Sequence, residues 1–363
     1  MSVIDDISRL LKNIDNASIE CYKYNSPYFI DYVDNKIKNK KDYKALTGSS
    51  PFEVVHTNHS NHAEFMYHIF LIKDAHTMHR TYIWAYRTYF RLGFSFRYFY
   101  YELIAWRDSF EEKDKKVLSP IIELYNHLIS LHEYFIKNAT STKNELPKNI
   151  DIDNKVYNEF LNTLLKPDIT EAISISNRYI KTDDDIRDFW EHIILPSLYN
   201  IGHKWAEAEI SVGEEHTATS ICQRVMSEHY KKIIPHIRDK KNILVTTSPN
   251  ELHEVGARML SDILELNGYD VFFVSSKSSN EKKSNAVLEE KIDFVLISTT
   301  LVGNILETKE LIKKIRDKLK PNLPKIIIGG QAFIHAENAT ELVDADYCLN
   351  STDQLLALLK EDQ

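Results

Sequence analysis

Residues 242–256 read NILVTTSPNELHEVG, and the way this stretch divides decides the fold. Its first half is a short β-rich apolar run. Its second half, Ser248-Pro249-Asn250-Glu251-Leu252-His253-Glu254-Val255-Gly256, is a polar turn that opens directly onto the helical stretch EVGARMLSDILELNG. Four further β-rich runs follow, DVFFVSS, DFVLIST, KIIIGG and DYCLNS, alternating with helical stretches such as ETKELIKKIRDKLK. This rhythm predicts a Rossmann-like, doubly wound parallel sheet of five strands over residues 237–363. In such sheets a ligand sits beyond the carboxyl ends of the strands, so the loops leaving those ends are the place to look for chemistry.

In the first of these loops an imidazole, His253, is well placed to ligate a metal centre. A carboxylate two residues earlier, Glu251, could accept the other ring N–H and raise the basicity of the ligand. Gly256 would let a bulky group approach the start of the helix. The third strand ends in Ser298, Thr299, Thr300 and Leu301, which offers hydroxyls at the same edge, and the fourth ends in Gly329 and Gly330, a pair that permits close passage of a ligand tail. Serines and glycines end many strands, so the weight lies in finding Glu-x-His-x-x-Gly, Ser-x-Thr-Leu and Gly-Gly on strands one, three and four, in order.

Working upstream, residues 150–236 hold four helical segments: VYNEFLNTLL, ITEAISISNRYI, DIRDFWEHIILPSLYNIGHKWAEA and EEHTATSICQRVMSEHYKKII. A four-helix bundle follows. Pro196 should bend or interrupt the third segment, and Ser211 with Glu214 stands in capping-box positions before the fourth. Trp205 lies ten residues before Glu215, which is followed by His216.

The sheet-edge constellation resembles the cobalamin-binding domain of methionine synthase, corrinoid proteins and adenosylcobalamin mutases. In those proteins the histidine displaces the dimethylbenzimidazole tail from cobalt, and the tail threads past the serine and glycine positions. The resemblance implies His253 as the lower ligand to cobalt. The Trp-x9-Glu-His spacing is similar to the light-sensing cobalamin domains of CarH-type transcriptional regulators. By that resemblance Trp205 covers the upper face of adenosylcobalamin, Glu215 and His216 line the same pocket, and light breaks the cobalt–carbon bond and alters domain packing or oligomeric state. Two positions depart from the pattern. Ala206 stands where the family has a histidine able to cap cobalt after photolysis, with His203 or His216 as substitutes, and Ser275-Ser276-Lys277 replaces a Gly-Ala-Asp type of sequence after strand two.

Residues 1–140 read as a helical domain dense in aromatics, from Tyr82 and Trp84 through Phe99, Tyr100 and Tyr101, and nothing in them resembles the winged helix-turn-helix of CarH-type regulators. They are similar to the helical region of non-DNA-binding cobalamin sensors, some of which, the photocobilins, also bind biliverdin. A tetrapyrrole needs aromatic walls and groups for its propionates. His62, His76, His79, Arg80, Trp84, Arg87 and Tyr101 are the candidates, with Arg91 and Arg97 nearby. The plainer reading is that these aromatics fill a helical core or a dimer interface. The polar stretch KNATSTKNELPKNIDIDNK then reads as a linker.

Composition bounds the alternatives. A chain of 363 residues, 43% apolar, supports two or three domains. The early acids and the lack of a long apolar run predict no secretory signal or membrane span, hence a cytoplasmic protein. The net charge of -8 disfavours nucleic acid as partner. Cys21, Cys222 and Cys348 stand alone, which argues against a disulfide framework. The expectation is a cofactor-binding photoreceptor rather than an enzyme, a light-dependent homo-oligomer with an unknown downstream partner. The alternatives are a corrinoid carrier of a methyltransferase system and a light-independent cobalamin-sensing adaptor.

Overall fold

Five strands, β1 (Asn242–Thr247), β2 (Asp270–Val274), β3 (Phe294–Ser298), β4 (Lys325–Gly329) and β5 (Tyr347–Cys348), pair in parallel in the order β2-β1-β3-β4-β5. The structure is a computed structural model that describes residues 2–141, 155–234, 237–320, 323–335 and 339–361. Strand order reverses between the adjacent strands β1 and β3: the chain leaves β1 toward β2 on one side and β3 toward β4 on the other, and this opens a crevice at their carboxyl ends. Both faces of the sheet are covered, so alternate residues of a strand enter different cores. Ile243, Val245, Phe294, Leu296 and Ile327 face one core, while Leu244, Val295, Ile297, Ile326 and Ile328 face the other.

The crossovers are helices α14 (Val255–Leu266), α15 (Asn280–Glu289) and α16 (Ile305–Leu319), followed by the short α17 (Gln331–His335) and α18 (Ala339–Leu342) and by α19 (Thr352–Glu361). Residues of α14 and α19 pack into the first core, and residues of α16 into the second. Upstream, α9 (Lys155–Leu165), α10 (Ile169–Tyr179), α11 (Asp183–Phe189), α12 (Leu195–Ala206) and α13 (Val212–Ile233) form the expected bundle. Their buried residues, among them Phe160, Phe189, Trp190, Ile201 and Val225, are continuous with the first sheet core. Bundle and sheet therefore share apolar interior and do not merely touch.

The interruption expected at Pro196 does not occur. The third segment is not broken; a single π-helical turn, Trp190–Ile194, joins α11 to α12, and the Leu195 N–H bonds back to the Trp190 carbonyl. Widening the helix just ahead of a residue without an N–H removes the need for the donor that proline lacks, and Pro196 then sits harmlessly in the first turn of α12. The cap of α13 is also as read. The Ser211 hydroxyl accepts from the Glu214 N–H, and the Glu214 carboxylate accepts from the Ser211 N–H at 2.7 Å.

The chain folds as two compact units, residues 1–143 and 144–363. The first is wholly helical among its described residues: α1 (Val3–Asn13), α2 (Asn16–Lys38), α3 (Tyr43–Leu46), α4 (Phe52–Ile72), α5 (Ala75–Arg91), α6 (Phe96–Asp114), α7 (Ser119–Ser130) and α8 (His132–Ser141). The predicted linker is shorter than expected at its start, because residues 137–141 complete the last turns of α8; residues 142–154 lie outside the described residues. Aromatic side chains fill this unit. Phe29 meets Phe110 edge-on at 4.9 Å, Tyr22 meets Phe70 edge-on at 5.0 Å, and Tyr86 stacks on Phe99 at 4.2 Å. No helix among the described residues is long and apolar enough to cross a membrane.

Candidate functional site at the carboxyl edge of the sheet

The loop from β1 to α14 crosses the mouth of the crevice and is pinned to the β3 side. The Ser248 N–H donates to the Ser298 carbonyl at 2.9 Å, and Asn250 takes the left-handed conformation, φ 63°, that turns the chain back toward the helix. Glu251, fully buried, is the centre of the arrangement. One carboxylate oxygen accepts from the backbone N–H of His253 at 3.1 Å and from its Nδ1–H, and the other accepts from the N–H groups of Thr300 and Leu301 and from Asn304 Nδ2, each at 3.0 Å. Burial works against ionisation of Glu251, but the bonds from His253, Leu301 and Asn304 outweigh it and hold the carboxyl down to about 2. The bond to Glu251 in turn raises the affinity of His253 for its proton.

With Nδ1 committed to Glu251, Nε2 is the nitrogen that His253 offers, and 57% of its side chain is exposed. Leu252 and Leu301 stand exposed in the same two loops, an apolar rim for a large flat ligand. Two further features fit a bulky cofactor. A Cβ built on Gly256, in the first turn of α14, would meet nothing within 4 Å, so the helix start faces open space. At the end of β1 the buried Thr247 hydroxyl has no hydrogen-bond partner among the described residues. A corrin with an imidazole-ligated cobalt suits this donor set, and His253 Nε2 would hold the metal.

The bundle carries the other three candidates. Trp205, half-buried, lies at the end of α12, and Glu215 and His216 lie near the start of α13. The Glu215 carboxylate is gripped by Thr219 Oγ1 at 3.0 Å and by His216 Nδ1 at 2.6 Å, and its charge acts on His253. Glu215 and His253 are thus brought into electrostatic reach from the two parts of the fold.

Other positions serve in ways the sequence did not suggest. Thr300 and Leu301 hold Glu251 through backbone N–H groups. The glycine pair is demanded by the chain itself: a Cβ on Gly329 would lie 2.6 Å from the Leu349 carbonyl oxygen, and one on Gly330, at φ 103°, would lie 2.4 Å from that of Thr299. Ser298 likewise contributes its carbonyl, to Ser248. Asn304, absent from the sequence reading, completes the Glu251 cage from 53 residues away, and Gln331 donates to the hydroxyl of Tyr199 of α12 at 2.8 Å. A separate groove of about 450 Å³, between α13 and α14, is lined by Tyr230, Arg258, Asp262 and Phe273 among others and by none of the residues of the β1 mouth.

In the first unit the tetrapyrrole candidates divide. His62 pairs with the Tyr125 hydroxyl at 2.8 Å and stacks on Trp106, and burial pushes its proton affinity down to about 3. His79 pairs with the Tyr134 hydroxyl at 2.8 Å, and the buried Arg87 donates to the Ala139 carbonyl at 3.1 Å. These three are engaged in internal packing. His76, Arg80 and Trp84 are exposed, and Tyr101 accepts from Arg97 at 3.0 Å with the Lys40 ammonium over its ring.

Comparison with known proteins agrees with this geometry. Residues 156–228 and residues 241–359 each match a family described as a B12 binding domain. Monomethylamine corrinoid protein 2 of Methanosarcina mazei is 19% identical over 182 residues, which span 48% of this chain and 84% of that protein. The HTH-type transcriptional repressor CarH of Myxococcus xanthus is 26% identical over 149 residues, 40% of this chain and 48% of the repressor. Among solved structures, that of the Methanosarcina barkeri monomethylamine corrinoid protein aligns with 57% of this chain and 98% of its own, at 12% identity and a TM-score of 0.49. The part of the chain from residue 156 to residue 359 is a cobalamin-binding, corrinoid-protein-like region.

Proposed function

We propose that the chain is a light-responsive cobalamin sensor that takes adenosylcobalamin, with His253 as the lower axial ligand and Trp205 over the upper face. The observation that carries the reading is the fixed imidazole: Nδ1 bound to a buried carboxylate, Nε2 open to the crevice, and the charge of Glu215 acting on it from the bundle. Bound adenosylcobalamin would supply a weak cobalt–carbon bond that light can break. The part of the protein is to orient and to report. Glu251 fixes the tautomer of His253, the half-buried Trp205 offers a flat lid, and the bundle can respond through its packing on the sheet or through assembly, provided the dark and illuminated states differ in one of them. Support for light sensing comes from the CarH similarity and from the Trp205, Glu215 and His216 spacing. With Ala206 buried and lacking a nitrogen, His203 or His216 is the substitute for an upper ligand after illumination. The first unit is proposed to add a biliverdin site on its exposed face near Trp84 and Arg80.

A second reading, a corrinoid carrier that presents methylcobalamin to a methyltransferase, is favoured by the match along 84% of the monomethylamine corrinoid protein. A third is an adaptor that senses cobalamin without light. One experiment separates them: absorption spectra and elution volumes of protein loaded in darkness with adenosylcobalamin and biliverdin, before and after green light. Bleaching with a change of elution volume supports the photoreceptor. Bound methylcobalamin that is demethylated by a thiol acceptor, with no response to light, supports the carrier, and an assembly state that follows the cofactor but ignores light supports the adaptor. Biliverdin that elutes apart with its free spectrum removes the bilin proposal.

A further inference from the structure

An imidazole with 57% of its surface exposed is not held by packing, so its direction must come from the groups that anchor it and its loop on either side. On the β3 side the anchor is Glu251. The β2 side has an anchor of its own, built from the Ser275-Ser276 pair that replaces the family sequence. Glu254, directly after His253 and at the entry to α14, turns one carboxylate oxygen onto that pair: it accepts from Ser275 Oγ at 2.6 Å, from the Ser276 N–H at 2.8 Å and from Ser276 Oγ at 3.0 Å. Its other oxygen accepts from Arg258 Nη2 at 3.0 Å. Beneath the loops lies Lys283 of α15, fully buried, whose Nζ donates to the Thr247 carbonyl at 3.0 Å and whose charge interacts with Glu254. A buried ammonium is costly unless it is matched by an opposite charge, and Glu254 is the carboxylate that acts on this one.

Resting on the cobalamin reading, we propose that Glu254, clasped by Ser275 and Ser276 and backed by Lys283, is a positioning residue for the cobalt ligand: it fixes His253 from the β2 side as Glu251 does from the β3 side. The serine pair is then the counterpart that the clasp requires.

The test uses the full chain loaded with cob(II)inamide, a corrinoid that carries no base of its own, so that a nitrogen splitting in its electron paramagnetic resonance spectrum reports protein imidazole on cobalt. Glu254→Ala and the double variant Ser275→Ala/Ser276→Ala lower the ratio of imidazole-ligated to water-ligated cobalt by about tenfold, roughly the equivalent of losing one charge-assisted hydrogen bond. Glu254→Gln, whose amide oxygen still accepts from both serines but whose charge toward Lys283 is gone, retains more imidazole-ligated cobalt than Glu254→Ala and less than the wild type. Circular dichroism and the amount of corrinoid retained control for folding, and if Glu254→Ala does not fold, the serine pair decides. Full imidazole ligation in the folded clasp variants overturns the proposal. His253→Ala distinguishes its failure from that of the underlying reading: if this variant keeps the nitrogen splitting, the ligand itself is elsewhere.

Discussion

Glu251 does more for the site than any other single side chain, because its two oxygens tie together the loops after β1 and β3 and fix one ring nitrogen of His253. Groups that orient a metal-binding histidine typically contribute 10–100-fold to affinity, so Glu251→Ala is expected to weaken corrinoid retention by roughly that factor, measured by equilibrium dialysis. Unchanged retention would show that His253 needs no such support. The Glu251–His253 pair was legible in the sequence because the chemistry of a ligand and its carboxylate orienter is local, two residues apart in one loop. Thr300 and Leu301 were placed at the site but for their side chains, since a backbone N–H carries no residue-type signature. Gly329 and Gly330 were read as room for a ligand tail; that they also make room for the carbonyls of Leu349 and Thr299 is set by long-range strand packing that no local pattern displays. Asn304 was missed for the same reason.

Among elements, the joint between bundle and sheet is the informative one. Trp190, the first residue of the π turn, donates its indole N–H to Asp262 of α14 at 3.1 Å, so the turn that accommodates Pro196 also ties the third bundle segment to the helix that His253 precedes. Burial pushes the Asp262 carboxyl up to about 7 against the lowering effect of the Trp190 bond; the charge of Glu265 adds to the rise and Arg258 opposes it. The folded state therefore keeps the proton where the unfolded state, with an ordinary carboxyl near 3.8, has lost it. Stability from this group is fully present below pH about 4 and is lost as pH rises toward about 7, by up to roughly 4 kcal/mol. Asp262→Asn, which keeps an acceptor for Trp190, should flatten that fall in urea unfolding curves taken across the window, and an unchanged slope would place the ionisation elsewhere. The strands, the alternation and the four bundle segments were all legible, because periodicity and breakers are local. That Pro196 produces a π turn and not a kink was not, because the choice depends on what Trp190 and its neighbours pack against.

For the molecule as a whole, the sequence order of bundle and sheet carried the reading, and the shared core explains why a change at one could reach the other. Trp205→Ala is expected to alter either the rate of photolysis or the elution volume in darkness, since it removes the proposed lid without changing His253; unchanged photokinetics and elution volume would count against Trp205 as the cap. The first unit was legible only as helical and aromatic. Its histidines look alike in sequence, and only packing separates His62 and His79, used inside, from His76 at the surface. The central claim is that the β1 mouth holds cobalt through His253, and the visible spectrum of desalted protein after incubation with adenosylcobalamin in the dark tests it most directly. Wild-type protein should retain the corrin with an imidazole-ligated spectrum, while His253→Ala retains it in a base-on or water-ligated form. A colourless wild-type protein, or identical spectra for the two, would contradict the account.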